Sequence, residues 1–246
     1  SESGSTNTTG HSNVGIGYQV MHDLDSGSDA SSSYGNTFMG YNAAGGAWAN
    51  SASSYNVGIG YDAMSGALDA CWYNVCVGLQ AGKALTTGDN NTLIGKNAGL
   101  AMIANAYNTA IGSGALEDAN GSEAYNVAIG NNSMTNVDND ASDYCVAIGH
   151  NALNGGTGTV ANSIAIGAFA LDGTGSIGGT QNVAIGYEVM SGAVANNAPF
   201  WNVAIGHQAM GAGAMDGATS NVVIGYQSGR DITTGDYNLL LGHTTG

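Results

Sequence analysis

Proline, positive charge and long apolar runs are all scarce in this chain. Pro199 is the one proline in 246 residues, and Lys83, Lys96 and Arg230 are the only lysines and arginines. Against them stand 18 acidic residues, giving a formal net charge of −15. A field of that sign repels phosphate, which argues against nucleic acid and anionic membrane surfaces as partners. No run of about 18 apolar residues occurs, so no membrane insertion is expected. The opening SESGSTNTTG has neither the basic nor the apolar stretch of a signal peptide. Cys71, Cys76 and Cys145 are too few, and odd in number, for a disulfide framework. They read as small apolar core residues, with a Cys71–Cys76 bridge as the alternative. The low charged fraction beside 43% apolar residues excludes a disordered chain, because enough surface can be buried to offset ordering entropy.

What is abundant is glycine, 41 residues of it, and repetition. YNVAIGNNSM (125–134) recurs with small changes as YNVGIGYDAM (55–64) and WNVAIGHQAM (201–210). With the leading Asn as position zero, the motif starts at residues 13, 36, 56, 74, 91, 108, 126, 145, 163, 182, 202, 221 and 238. The thirteen copies are 17 to 23 residues apart. A fixed motif at a period near 20 is the signature of a solenoid. Gly occupies position four in every copy, including Gly60, Gly78, Gly95, Gly112 and Gly130. Such a glycine marks a corner with positive φ or a close backbone approach. Asn occupies position zero in all copies except Cys145 and Ser163. Asn56, Asn74, Asn91, Asn108 and Asn126 are therefore expected to form a ladder of stacked amides that bond to each other and to turn backbone.

The motif lacks helical periodicity and is rich in β-branched residues, which points to short strands. The predicted fold is all-β, a parallel β-solenoid of about thirteen coils of 17–23 residues spanning 13–246, with 1–12 as an N-terminal extension or cap. Stacked at about 4.8 Å per coil, the rungs would build a rod roughly 60 Å long. The intervals vary because the loop between rungs can lengthen at little entropic cost. Positions one, two and three are all apolar or Thr, and a strand apolar on both sides is buried on both sides. One face can pack inside its own coil. The position-two face is expected to be covered by other chains, and a homotrimer is the economical closed symmetry for a fibre.

NTAIGSGAL (108–116), SIAIGAFAL (163–171) and TTGDNNTLIGKNAG (86–99) resemble the repeats of bacteriophage tail fibres. They are also similar to the head repeats of YadA-like trimeric autotransporter adhesins. The resemblance covers nearly the whole chain. It implies a trimeric shaft or head that binds a host cell-surface glycan or protein, on a virion surface or otherwise extracellular. Adhesin head repeats are shorter than those here. Neither the membrane-anchoring barrel of an adhesin nor the chaperone domain that often follows fibre repeats is present, which tilts the expectation towards a phage fibre. The alternative is a bacterial adhesin head.

Candidate binding residues are aromatic. Tyr18, Tyr41, Tyr61, Tyr187 and Tyr226 stand just after the glycine corner, where His150, His207 and His243 also occur. Tyr55, Tyr73, Tyr107, Tyr125, Tyr144, Tyr237 and Trp201 stand just before the motif. These rings either stack on the next coil or form a strip of flat amphipathic groups for sugars. The acids bunch at Asp23, Asp25 and Asp29 and again at Asp138, Asp140 and Asp143. Either cluster suits Ca²⁺, a cation that takes several hard oxygens, although solvated loop charge explains both. No other cofactor is expected. A glycan-cleaving tailspike would need two acids at a set separation, for which Asp118 with Glu123 or Asp138 with Asp143 are the available pairs. Nothing marks them as more than loop acids, and no nucleophile or phosphate-binding motif occurs, so an enzyme is not expected. A monomeric ice-binding solenoid would need a regular Thr array, yet Thr occupies position one only at Thr37, Thr92 and Thr109.

Overall fold

A computed structural model describes residues 10–22, 32–137, 142–155, 158–173, 179–192, 197–211 and 216–246. The chain forms two compact units, Ser1–Ala124 and Tyr125–Gly246. Each is a parallel β-solenoid, all-β, with no α-helix among the described residues. The first unit holds β1 (Val14–Ile16), β2 (Thr37–Met39), β3 (Val57–Ile59), β4 (Val75–Val77), β5 (Thr92–Ile94) and β6 (Thr109–Ile111). The second holds β7 (Val127–Ile129), β8 (Val146–Ile148), β9 (Ile164–Ile166), β10 (Val183–Ile185), β11 (Val203–Ile205), β12 (Val222–Ile224) and β13 (Leu239–Leu241). Within each unit consecutive strands pair in register. Val57, Gly58 and Ile59 lie opposite Val75, Cys76 and Val77, and Val183, Ala184 and Ile185 opposite Val203, Ala204 and Ile205.

The strands are three residues long because the backbone on either side is bent. The residue before each Asn has φ between 55° and 60° wherever it is not glycine, as in Tyr55, Tyr73 and Tyr125. Position six, such as Asn42, Asp62 and Gln208, is also left-handed, and so is position eight, Met64 or Leu153. These conformations are costly for side-chain-bearing residues, and they persist because the rungs above and below bond to them. The N–H of Asp62 donates to the Tyr41 carbonyl at 3.0 Å, and that of Met64 to the Ala81 carbonyl at 3.0 Å. The position-four glycines lie at φ 127–143°, where an L side chain is strained. Close approach forbids one as well: a Cβ on Gly60 would sit 2.2 Å from the Gly78 carbonyl oxygen.

The core runs along the inside of each stack. Position two is fully buried from β2 to β12, Phe38, Leu93, Ala147 and Ala204 among them, as are position seven from Val20 to Ser228 and the Met or Leu at position eight. Four return loops of the first unit each contribute one large residue, Trp48, Leu68, Leu85 and Met102, at 0% exposure. Volumes compensate between rungs. Phe38 takes space that Gly58 yields, since a Cβ there would meet the ring at 2.5 Å, and the Phe38 ring also meets Trp48 edge-on at 6.0 Å. All three cysteines are free and buried.

The strand faces are the reverse of the sequence expectation. Position two points inward, so its apolar character is used inside the chain's own coil. Positions one and three point outward and are half-buried or exposed, Ile16 at 54% and Leu239 at 68% among them. Position two is Ala, Gly or Cys in most rungs, with Phe38, Leu93 and Val223 buried there in the others. The β-branched residues of positions one and three project outside.

Candidate functional site

Side chains line up in columns along the rungs of each unit, the Asn ladder inside and aromatic and polar columns outside. Inside, each Asn links three partners. The Asn74 Oδ1 accepts from the Asn91 backbone N–H at 2.9 Å and from the Asn91 Nδ2 at 3.0 Å. The Asn74 Nδ2 donates to the Gly88 carbonyl at 2.8 Å, three residues before the next Asn. That carbonyl offset repeats at Asn13 with Ser33, Asn36 with Ser53, Asn56 with Cys71, Asn91 with Asn105 and Asn108 with Glu123. In the second unit Asn126 with Ser142, Asn182 with Pro199, Asn202 with Ala218 and Asn221 with Gly235 keep it. The ladder therefore stitches strand start to strand start and also pins each return loop. Where Asn is replaced, the bonds are partly kept: the Cys145 thiol donates to the Val160 carbonyl at 2.8 Å, and the Ser163 hydroxyl accepts from the Asn182 N–H at 3.3 Å. Burial pushes the Cys145 thiol up to about 12 and raises those of Cys71 and Cys76 too, so none is a nucleophile at neutral pH.

Outside, the aromatic residues stack rung on rung. Tyr41 and Tyr61 lie 5.0 Å apart with planes 6° from parallel, Tyr55 and Tyr73 5.1 Å at 5°, and Tyr125 and Tyr144 5.0 Å at 3°. Tyr18 joins Tyr41 at 5.4 Å. In the second unit Tyr187, His207, Tyr226 and His243 form a continuous column with spacings of 5.2, 5.2 and 4.9 Å. Within these columns ring faces meet ring faces, and the outward surface is ring edge with its hydroxyl or imidazole nitrogen. The rings remain 43% to 50% exposed at Tyr18, Tyr41, Tyr61, Tyr187 and Tyr226.

A polar column adjoins these rings at position six, and sequence reasoning missed it. Asn42 Nδ2 donates to Asp62 at 2.8 Å, Gln208 Nε2 to Glu188 at 2.6 Å and Gln227 Nε2 to the Gln208 side-chain oxygen at 2.8 Å. The Gln208 amide, with help from the Tyr187 hydroxyl, holds the Glu188 carboxyl below its ordinary value, and the same hydroxyl contact raises Tyr187. The signal was present in the dipeptides after six of the thirteen corner glycines: YQ, YN, YD, YE, HQ, YQ.

Several loop acids also have structural work that the sequence did not reveal. Asp69 accepts from the Ser51 N–H, Asp89 from Trp72, Asp216 from Asn197 and Asp236 from Thr219, at 2.6 to 2.9 Å. Each closes an open N–H on the preceding coil. Burial raises Asp89 and Asp172, while the Trp72 and Gly173 N–H groups respectively pull them back. Glu123 is fully buried and accepts from the Asn105 amide at 2.6 Å, which puts its carboxyl out of reach of a polysaccharide. Asp23, Asp25, Asp29, Asp138 and Asp140 lie outside the described residues, and Asp143 alone of the two candidate Ca²⁺ clusters is described. Among the described residues no group of three His, Cys, Asp or Glu could hold a metal ion, and no helix is long and apolar enough to cross a membrane. Compared with family models, curated proteins and solved structures, the chain matches none.

Proposed function

We propose that this chain is a structural and receptor-binding segment of a phage tail fibre, which assembles with copies of itself and contacts a host cell surface. One observation carries the reading: the outward strand face. Positions one and three are Val, Thr, Ile, Leu or Met in every rung of both units, with no charge among them, on a chain of net charge −15. A like-charged copy can approach closely only through a charge-free surface. A second copy also carries the same rung period, so it stays in step with this face along its length. Between the flanking aromatic columns the face is about 20 Å wide, and six rungs in the first unit and seven in the second, at about 4.8 Å each, give about 600 to 700 Å² per unit. That meets the lower bound per partner of a stable interface. A trimer closes the arrangement without open ends. Weak contacts to a surface glycan, repeated on three chains, would multiply by effective concentration.

The test is adhesion. Fluorescently labelled chain, presented in its native assembly, is titrated against a panel of bacterial cells. Saturable binding to a subset of strains is expected. Uniform absence of binding, or equal unsaturable binding to all, removes the receptor-binding part of the reading.

A further inference from the structure

The outer corner strip has a chemistry that the fibre reading leaves unspecified. Each of several consecutive rungs presents one ring edge at position five and one amide or carboxylate at position six. In the first unit these are Tyr18 with Gln19, Tyr41 with Asn42 and Tyr61 with Asp62; in the second, Tyr187 with Glu188, His207 with Gln208 and Tyr226 with Gln227. His243 extends the second strip, its Nδ1 lying 3.0 Å from the Thr244 hydroxyl. The ring spacing is 4.9 to 5.4 Å throughout.

We propose that each strip is a subsite for a neutral, linear, 1,4-linked polysaccharide lying across the rungs, one sugar per rung. The inference rests on the fibre reading and names the class of its receptor. Three observations support that ligand over others. First, the period fits: a 1,4-linked pyranose chain advances by about one ring length per sugar, which is the scale of the rung. Second, the groups fit. Phenol, imidazole and carboxamide each offer donors and acceptors, as sugar hydroxyls do. Because neighbouring rings cover each other's faces, recognition runs through hydroxyls at the ring edges instead of sugar stacking on an open face. Third, charge selects. Asp62 and Glu188 lie in the strips, and the Lys83 ammonium beside the first sits 3.7 Å from Asp62. An acidic polymer would meet carboxylates there and the field of the whole chain beyond. The second strip spans four rungs, so its contact saturates at four sugars.

Isothermal titration of the whole chain with β-1,4-linked gluco-, manno- and N-acetylglucosamine oligosaccharides of two to six sugars tests this, with oligogalacturonate as the acidic counterpart. At least one neutral series should bind, tightening stepwise to four sugars and levelling off, while oligogalacturonate does not bind. Tyr187→Phe and Tyr226→Phe keep the stack and remove the hydroxyls, so each should weaken binding roughly threefold to tenfold. Tyr73→Phe and Tyr144→Phe, in the other column, should leave it unchanged. Failure of every neutral series to bind, equal binding of the acidic one, no plateau, or equal effects of the two pairs of variants each overturns the inference. If the chain adheres to cells yet binds none of these probes, the strip fails and the fibre reading stands. If the probes bind in this pattern but no cell does, the strip stands and the fibre reading fails.

Discussion

At the residue scale the fold depends on two side chains per coil, one that bonds and one that is absent. Asn74 serves neighbours above and below, and Asn74→Ala would leave the Asn91 N–H buried without its partner and the Gly88 carbonyl with only the weak Cys71 thiol donor at 3.1 Å. A loss of about 1–3 kcal/mol is expected for the one orphaned N–H, read as a shift in the urea midpoint with an unchanged slope. Gly60→Ala meets both strain at φ 141° and a carbonyl oxygen at 2.2 Å, so at least about 3 kcal/mol should be lost, or soluble protein not recovered. Both roles were legible in the sequence, since Asn and Gly recur at fixed positions and have few other uses there. The loop acids were not legible. Asp89 reaches the Trp72 N–H only because two coils stack in one register, and the intervening loop varies in length too much for spacing to reveal it.

At the element scale each three-residue strand is apolar on both faces, and hydropathy alone could not say which face points in. A shift of one residue exchanges the two sets. Side-chain volume held a partial answer, because position two is Ala, Gly or Cys in nine of the thirteen copies, whereas positions one and three are never that small. Cys76 illustrates the inward position, and Cys145 the buried ladder position just before its strand. Burial raises their thiols, and in a folded chain alkylation at pH 8 should be slower than in urea by orders of magnitude, measured by mass spectrometry. The folded state holds the Cys145 proton more tightly than the unfolded state, whose thiol titrates near 8.5. Its contribution is therefore complete below about pH 8.5 and is lost as pH rises towards 12. Denaturation by urea should become easier across that window, and Cys145→Ser should flatten part of the dependence.

At the scale of the whole molecule the acid excess sets the pH response on the other side. Asp89 and Asp172 have raised values, so the folded state binds their protons more tightly, and protonation favours folding as pH falls towards the usual carboxylate range. Relief of self-repulsion among 18 acids acts in the same direction. A higher melting temperature is expected at pH 5.5 than at pH 8, with the gap narrowing in salt as the repulsion is screened. The central claim is that the outward face of positions one and three is covered by other copies of the chain. Molar mass in dilute solution, by light scattering on a sizing column, tests it most directly. The expected mass is three times 24.4 kDa, with Ile59→Asp and Ile129→Asp together reducing it without loss of β circular dichroism. A mass of 24.4 kDa at every concentration would contradict the claim, and would leave the apolar face to water or to a different partner.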